Sequence, residues 1–224
     1  MKSLAMPKRR KSAPKHPESR RRPLDLHTNK RDEVKPPMDI YRVHVSLREI
    51  QPLIWRRIEL ASRTTLKQFH RILQIAMGWE DYHLHEYIVD GIRYCTPDPD
   101  YDKPEDVVRE SGVRLQAVLS HPGAEITYIY DFGDFWQHDI RLEAAFPADP
   151  NIHYPRIVDG ARSCPPEDCG GTGGYADLLE ILLDPAHDEF ENMRQWAGPR
   201  FNAEVFSADA ANKQLQGRRS LIAK

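Results

Sequence analysis

The sequence predicts an α+β fold, and three observations carry that expectation. Alternating apolar segments recur as neighbouring pairs, a single helical pattern interrupts them early, and the other long helical patterns gather after residue 175. A doubly wound parallel sheet would instead alternate strand and helix along its length. The expected architecture is a mainly antiparallel sheet with an early strand-strand-helix unit and C-terminal helices packed on the domain.

The elements follow in order. "IYRVHVSL" places Tyr41, Val43, Val45 and Leu47 on one side, and "LIWRRIEL" resumes the alternation after the Gln51-Pro52 break, which predicts an antiparallel pair. Thr65 and Gln68 have capping-box spacing. Leu66, Phe69, Leu73 and Ala76 then recur at helical spacing until Gly78 stops the helix. In "LHEYIVDGIRYC", Asp90-Gly91 suits a two-residue hairpin turn. The proline- and acid-rich loop from Thr96 to Asp106 is expected to be solvated, with a short helix near Val113 to Leu119. "YIYDFGDFWQHDIRLE" reads as two strands about a tight turn, followed by a long irregular stretch. Leu178, Ile181 and Leu182 before Pro185 mark one helix, Phe190, Met193 and Trp196 before Gly198-Pro199 a second, and Ser207 opens a short third.

Charge is unevenly distributed. Residues 1 to 35 hold twelve Lys or Arg against four Asp or Glu, whereas the remainder holds twenty against thirty. The first 37 residues have almost no aromatic or β-branched side chains with which to build a core, so they are expected to form a basic disordered tail ahead of a single domain from 38 to 224. Met38, directly before the first strand, leaves open a second translation start. Three cysteines, with no apolar signal segment after the basic start, fit a cytoplasmic protein better than a disulfide scaffold. No apolar run has membrane-spanning length, so no membrane is expected.

Three motifs stand in order along the chain: "MGW" with "HLHEY", "YDFGDFWQH", and "CPPEDCGGTGGY" leading into a helix. Together they resemble the Ri-plasmid ORF-three-like family over roughly residues 39 to 215. The family is found on plasmids and as a passenger gene of transposable elements, where members are labelled resolvase-like. The resemblance implies a compact α+β domain associated with mobile DNA and supplies no catalytic set to carry over. The chain shows no serine-recombinase signature.

Site residues are therefore read from chemistry. Histidines 83, 85 and 138 lie near Asp81, Glu86, Asp131 and Asp134 in sequence, and His85, His138, Asp131 and Asp134 are the candidates for metal-assisted acid-base work. In the other reading His138, on the Trp136, Ile140 and Leu142 face, is a core histidine bonded to a neighbouring carboxylate or carbonyl. Asp131 and Asp134 equally suit capping of their own turn, and Trp136 suits a pocket wall or the core. Glu167, Asp168, Gly170, Gly171 and Tyr175 mark a candidate loop or pocket, with the glycine run either an anion cradle or a tight connection. Cys164 and Cys169 form only half of a structural zinc pattern, so no metal is assigned there, and no cofactor fingerprint is present. Lys8, Arg9, Arg10, Lys11, Arg20, Arg21 and Arg22 are the candidate phosphate contacts, giving nucleic-acid binding without base readout. The function expected is an accessory or binding module, with a metal-assisted hydrolase and a protein-interaction domain with its own partner as alternatives.

Overall fold

Eight strands form one sheet in the order β5-β4-β3-β6-β7-β1-β2-β8, in which every neighbouring pair is antiparallel except β4 with β5. The computed structural model describes residues 39–98, 103 and 105–222. In chain order the strands are β1 (Asp39–Leu47), β2 (Trp55–Ala61), β3 (His85–Val89), β4 (Ile92–Cys95), β5 (Val107–Arg109), β6 (Glu125–Tyr130), β7 (Trp136–Pro147) and β8 (Arg156–Ala161). The helices are α1 (Leu66–Met77), α2 (Leu115–Val118), α3 (Gly171–Leu183), α4 (Phe190–Ala197), α5 (Ala208–Gly217) and α6 (Arg219–Ile222), with a 3-10 turn at Glu110–Gly112. The α+β expectation holds. The tail residues 1–37 lie outside the described residues.

Alternation decides which face is which. Tyr41, Val43, Val45 and Leu47 of β1 all point into the core, where Leu66, Phe69, Ile72, Leu73 and Ala76 of α1 meet them. Helix α1 begins at the expected capping box, with Gln68 N donating to Thr65 Oγ1 (3.2 Å) and Thr65 N to Gln68 Oε1 (3.1 Å), and ends at left-handed Gly78. Across the inner face Leu47 faces His138, His138 faces Tyr128, and Tyr128 faces Tyr87, one row over four strands. Tyr175, Leu178, Ala211 and Leu215 from α3 and α5 complete the core.

The opposite face carries ion pairs. Glu59 is fully buried between Arg42 (2.6 Å) and Arg156 (2.7 Å), Arg57 pairs with Glu143 (2.7 Å), Arg93 with Glu86 (2.6 Å) and Arg48 with Asp139. Long guanidinium stems thus cover a sheet face whose carboxylates would otherwise be desolvated singly. No helix of the described residues is long and apolar enough to cross a membrane.

Two strands correct the sequence reading. β8 lies in the stretch read as irregular, and β5 closes the loop read only as solvated. Both are sheet edges: β8 sends only Ile157 fully into the core, so it carries no alternation for periodicity to detect. The glycine run read as preceding a helix also differs, since Gly171, Gly173 and Gly174 form the first turn of α3.

Candidate functional site

The site begins where β3 and β6 emerge beside the end of α1. His83 and Leu84 enter β3, Asp131 leaves β6, and the two loops are tied together: Asp131 N donates to Leu84 O (2.9 Å), while the backbone N–H groups of Tyr82 (3.1 Å) and His83 (3.4 Å) donate to the Tyr130 hydroxyl. That hydroxyl donates toward Glu167 (3.1 Å to Oε1), which draws in the loop before α3.

At this junction His83 Nε2 lies 3.1 Å from Asp168 Oδ1, 3.6 Å from Glu167 Oε2 and 3.7 Å from Asp131 Oδ2. The nitrogen is buried, yet none of these contacts is aligned as a hydrogen bond. One donor atom each from His83, Asp131 and Asp168 lie within 4.8 Å of one another. A divalent ion with ligand bonds of about 2.0–2.2 Å holds its ligands roughly 3 Å apart, so this cage suits an ion after a small contraction. Asp131 and Asp168 both have φ of 58°, the left-handed region that a Cβ normally disfavours. Both carboxylates are thus held at the junction by unusual backbone.

Beside it lies a pocket of about 340 Å³ whose lining includes His70, Asp81, His83, His85, Thr96 and Glu110. His70 and His85 stack face to face, with centroids 3.4 Å apart and planes within 4°. His85 Nε2 donates to the buried Glu110 (2.9 Å), whose other oxygen accepts from Thr96 (2.8 Å). With Asp81 ionised, His70 donates from Nε2 to Asp81 (2.7 Å) and accepts at Nδ1 from the Tyr128 hydroxyl (2.7 Å), which accepts from Gln74 (3.1 Å). Burial pulls His70 below the ordinary 6.5, against the Asp81 bond and with the help of neighbouring His85. Burial pushes Glu110 up, but the bond and field of His85 together with Thr96 outweigh it and hold the carboxyl below 4.5.

The structure brings His85 and Asp131 into this region and keeps His138 and Asp134 out of the cluster. His138 is fully buried, with Nδ1 donating to the Trp136 (3.1 Å) and Tyr128 (3.3 Å) carbonyls. Trp136 is core beside it. Asp134 Oδ2 accepts from Gly170 N (3.1 Å), so a carboxylate already occupies the N–H of the N-cap residue before α3. A Cβ on Gly171 would sit 2.7 Å from Asp134 O, and one on Gly174 1.9 Å from Cys169 O, so the glycines let the turn and the helix meet. Tyr175 is buried in the core. Asp131 Oδ1 also accepts from Gly133 N (2.8 Å), which leaves Oδ2 for His83. Cys164 is buried against Arg56 and Met77, and burial, with Asp134 nearby, pushes the Cys169 thiol up to about 12.

Sequence reasoning missed His70, Glu110 and the central position of His83. His70 carried no signal because it sits among the apolar repeats of α1. His83 stands just before β3 in "HLHEY", outside any alternation, so nothing in the pattern set it apart from His85.

Fold and site define a single-sheet α+β domain with a histidine-carboxylate cluster beside a pocket lined by histidines and by side chains of both charge signs. The chain belongs to the plasmid pRiA4b ORF-3-like protein family, whose profile matches residues 39–210. It is 36% identical over 177 residues to the uncharacterised protein y4hQ of Sinorhizobium fredii, covering 79% of this chain and 88% of that one. A crystal structure of a protein of unknown function, MM3350 from Methanosarcina mazei, superposes with a TM-score of 0.69 at 34% identity, covering 77% of this chain and 97% of that one.

Proposed function

We propose that the domain is a divalent-cation-dependent hydrolase, with the ion among His83, Asp131 and Asp168 and with Glu167 at its edge. The observation that carries this reading is His83 Nε2, a buried nitrogen with no aligned partner and three carboxylates within 3.7 Å. Oxygen-rich ligation with one imidazole favours Mn²⁺ or Zn²⁺. Held there, the ion would supply an activated water as nucleophile, and His85, held by Glu110 in the adjoining pocket, would serve as the base. Calorimetric titration of the full chain with Mn²⁺ is expected to give one site, weakened about ten-fold or more by His83→Ala and by Asp131→Asn. Saturating Mn²⁺ is also expected to raise the melting temperature of the wild type alone. No binding at millimolar Mn²⁺, or binding indifferent to both substitutions, would overturn the assignment.

A second reading concerns the tail and rests on the charge of the first 35 residues, twelve basic against four acidic. Lys8 to Lys11 and Arg20 to Arg22 provide sequence-independent affinity for nucleic acid, which suits an accessory protein of mobile DNA. A chain starting at Met38 is expected to stay folded and to lose salt-sensitive duplex binding. Undiminished duplex binding by that chain would remove the role from the tail. That none of the three cysteines is in a disulfide supports a reducing, cytoplasmic setting.

A further inference from the structure

Tyr82, Phe135, Phe132 and Leu84 are 73%, 52%, 45% and 43% exposed, and all four belong to the loops that carry His83 and Asp131, two of the three loops that form the cation cluster. Tyr82 and Leu84 flank His83, Phe132 follows Asp131, and Phe135 closes the same turn. The turn is not shaped to hide its rings. Phe135 is held at φ 58°, a conformation rare for a bulky residue, by its N–H donating to Asp131 O (2.7 Å). A turn that only joined β6 to β7 would be satisfied by small polar residues. Apolar side chains grouped around a site mark a recognition surface.

Charge selects the partner. Asp131, Glu167 and Asp168 repel an anion until a cation fills the cage, after which the same place accepts a phosphate oxygen. Exposed rings offer flat faces on which unpaired bases stack, and such stacking tolerates any sequence. The basic first 35 residues attract a polyanion to the same chain. We propose that the substrate is single-stranded nucleic acid, with a phosphodiester at the cation and adjacent bases stacked on Tyr82, Phe132 and Phe135.

This rests on the reading of the cluster as a cation site. In the reaction the ion would be held by His83, Asp131 and Asp168 and would supply Lewis-acid activation of the phosphodiester, while a water gives up a proton as its oxygen adds to phosphorus. The bond from phosphorus to the departing sugar oxygen breaks, and that oxygen takes the proton. One water is consumed, and one phosphate monoester and one hydroxyl are formed. A duplex keeps its bases stacked internally and is a poor occupant of the rings.

The test uses the full chain, a fluorescent oligothymidylate and a duplex of equal length, read by anisotropy at about 0.3 M salt to suppress the tail's contribution. Mn²⁺ in place of chelator is expected to tighten strand binding about ten-fold or more, with the duplex at least ten-fold weaker than the strand. Tyr82→Ala, and a Tyr82→Ala/Phe132→Ala/Phe135→Ala triple variant, are expected to lose that gain while titrating Mn²⁺ as the wild type does. The single Tyr82 variant guards against misfolding of the triple. If the chain takes up no Mn²⁺, both readings fall. If it takes up Mn²⁺ but strand binding does not tighten, or the duplex binds as well as the strand, or the ring variants bind as the wild type, the substrate assignment alone falls.

Discussion

Arg56→Ala is expected to cost the domain about 3–5 kcal/mol, a large share of the stability of a single domain. Arg56 is fully buried on the inner face of β2, where a long apolar side chain would be the default, and no carboxylate among the described residues pairs with it. Its charge is met by dipoles instead. The guanidinium donates to Ala76 O (2.8 Å), Trp55 O (2.8 Å) and Ala161 O (2.9 Å), with Cys164 Sγ at 3.3 Å. Ala76 belongs to the last turn of α1, where carbonyls lack intrahelical partners and the helix dipole favours a cation. One side chain therefore caps the helix, bonds the edge strand β8 and supports the Phe206 ring 3.7 Å above it. Gly160 of β8 makes room for that ring, since a Cβ there would lie 2.6 Å from it. Alanine would strand three carbonyls and open a void, whereas Arg56→Lys, a point charge with fewer donors, is expected to lose about half as much. Urea denaturation of the three proteins reads the difference directly. A loss below about 1 kcal/mol for alanine would mean that water replaces the guanidinium at little cost.

The segments legible in the sequence were those in which burial is one-sided. β1, β2, β6 and β7 alternate because one face meets α1 and the other meets solvent-edge ion pairs, and α1 announces itself by a capping box and a terminal glycine. Arg56 shows the limit of that reading, since alternation assigns it inward and composition argues it outward. The site was half legible. "HLHEY" and "YDFGD" put imidazoles and carboxylates on loops that antiparallel pairing brings together, but which histidine reaches which carboxylate depends on strand order and register. His138 and Tyr128 face each other deep in the sheet, while His83 stands just before the start of β3, a difference of position that no local pattern encodes. His70 and Glu110 meet in the pocket from elements 40 residues apart in sequence, which only the folded chain reveals.

Acid is expected to destabilise the fold between about pH 6.5 and 4, with His138 the main cause. The ring is fully buried, and burial lowers it from 6.5 to about 4 against the two carbonyls at Nδ1. Nε2 has no acceptor among the described residues and Trp79 packs nearly perpendicular to the ring, 5.4 Å between centroids, so a second proton would be buried unpaired. The sign follows from proton counts. Above pH 6.5 both folded and unfolded chains hold this histidine neutral, and it adds no pH dependence. Between 6.5 and 4 the unfolded chain binds the proton and the folded chain does not, so stability falls as pH falls, by about 3 kcal/mol in full. His70, also lowered by burial, adds in the same direction. Asp81, Glu110 and Glu143, all held below their ordinary values, lose their contributions only as pH falls through the carboxylate range. The upper half of the window therefore belongs to the histidines. His138→Phe keeps the site filled and apolar, and is expected to flatten the stability slope between pH 6.5 and 5 by more than half while leaving Mn²⁺ binding at His83 unchanged. Urea melts across that range on the wild type and the variant decide the matter, and equal slopes would show that His138 stays neutral or charged alike in both states.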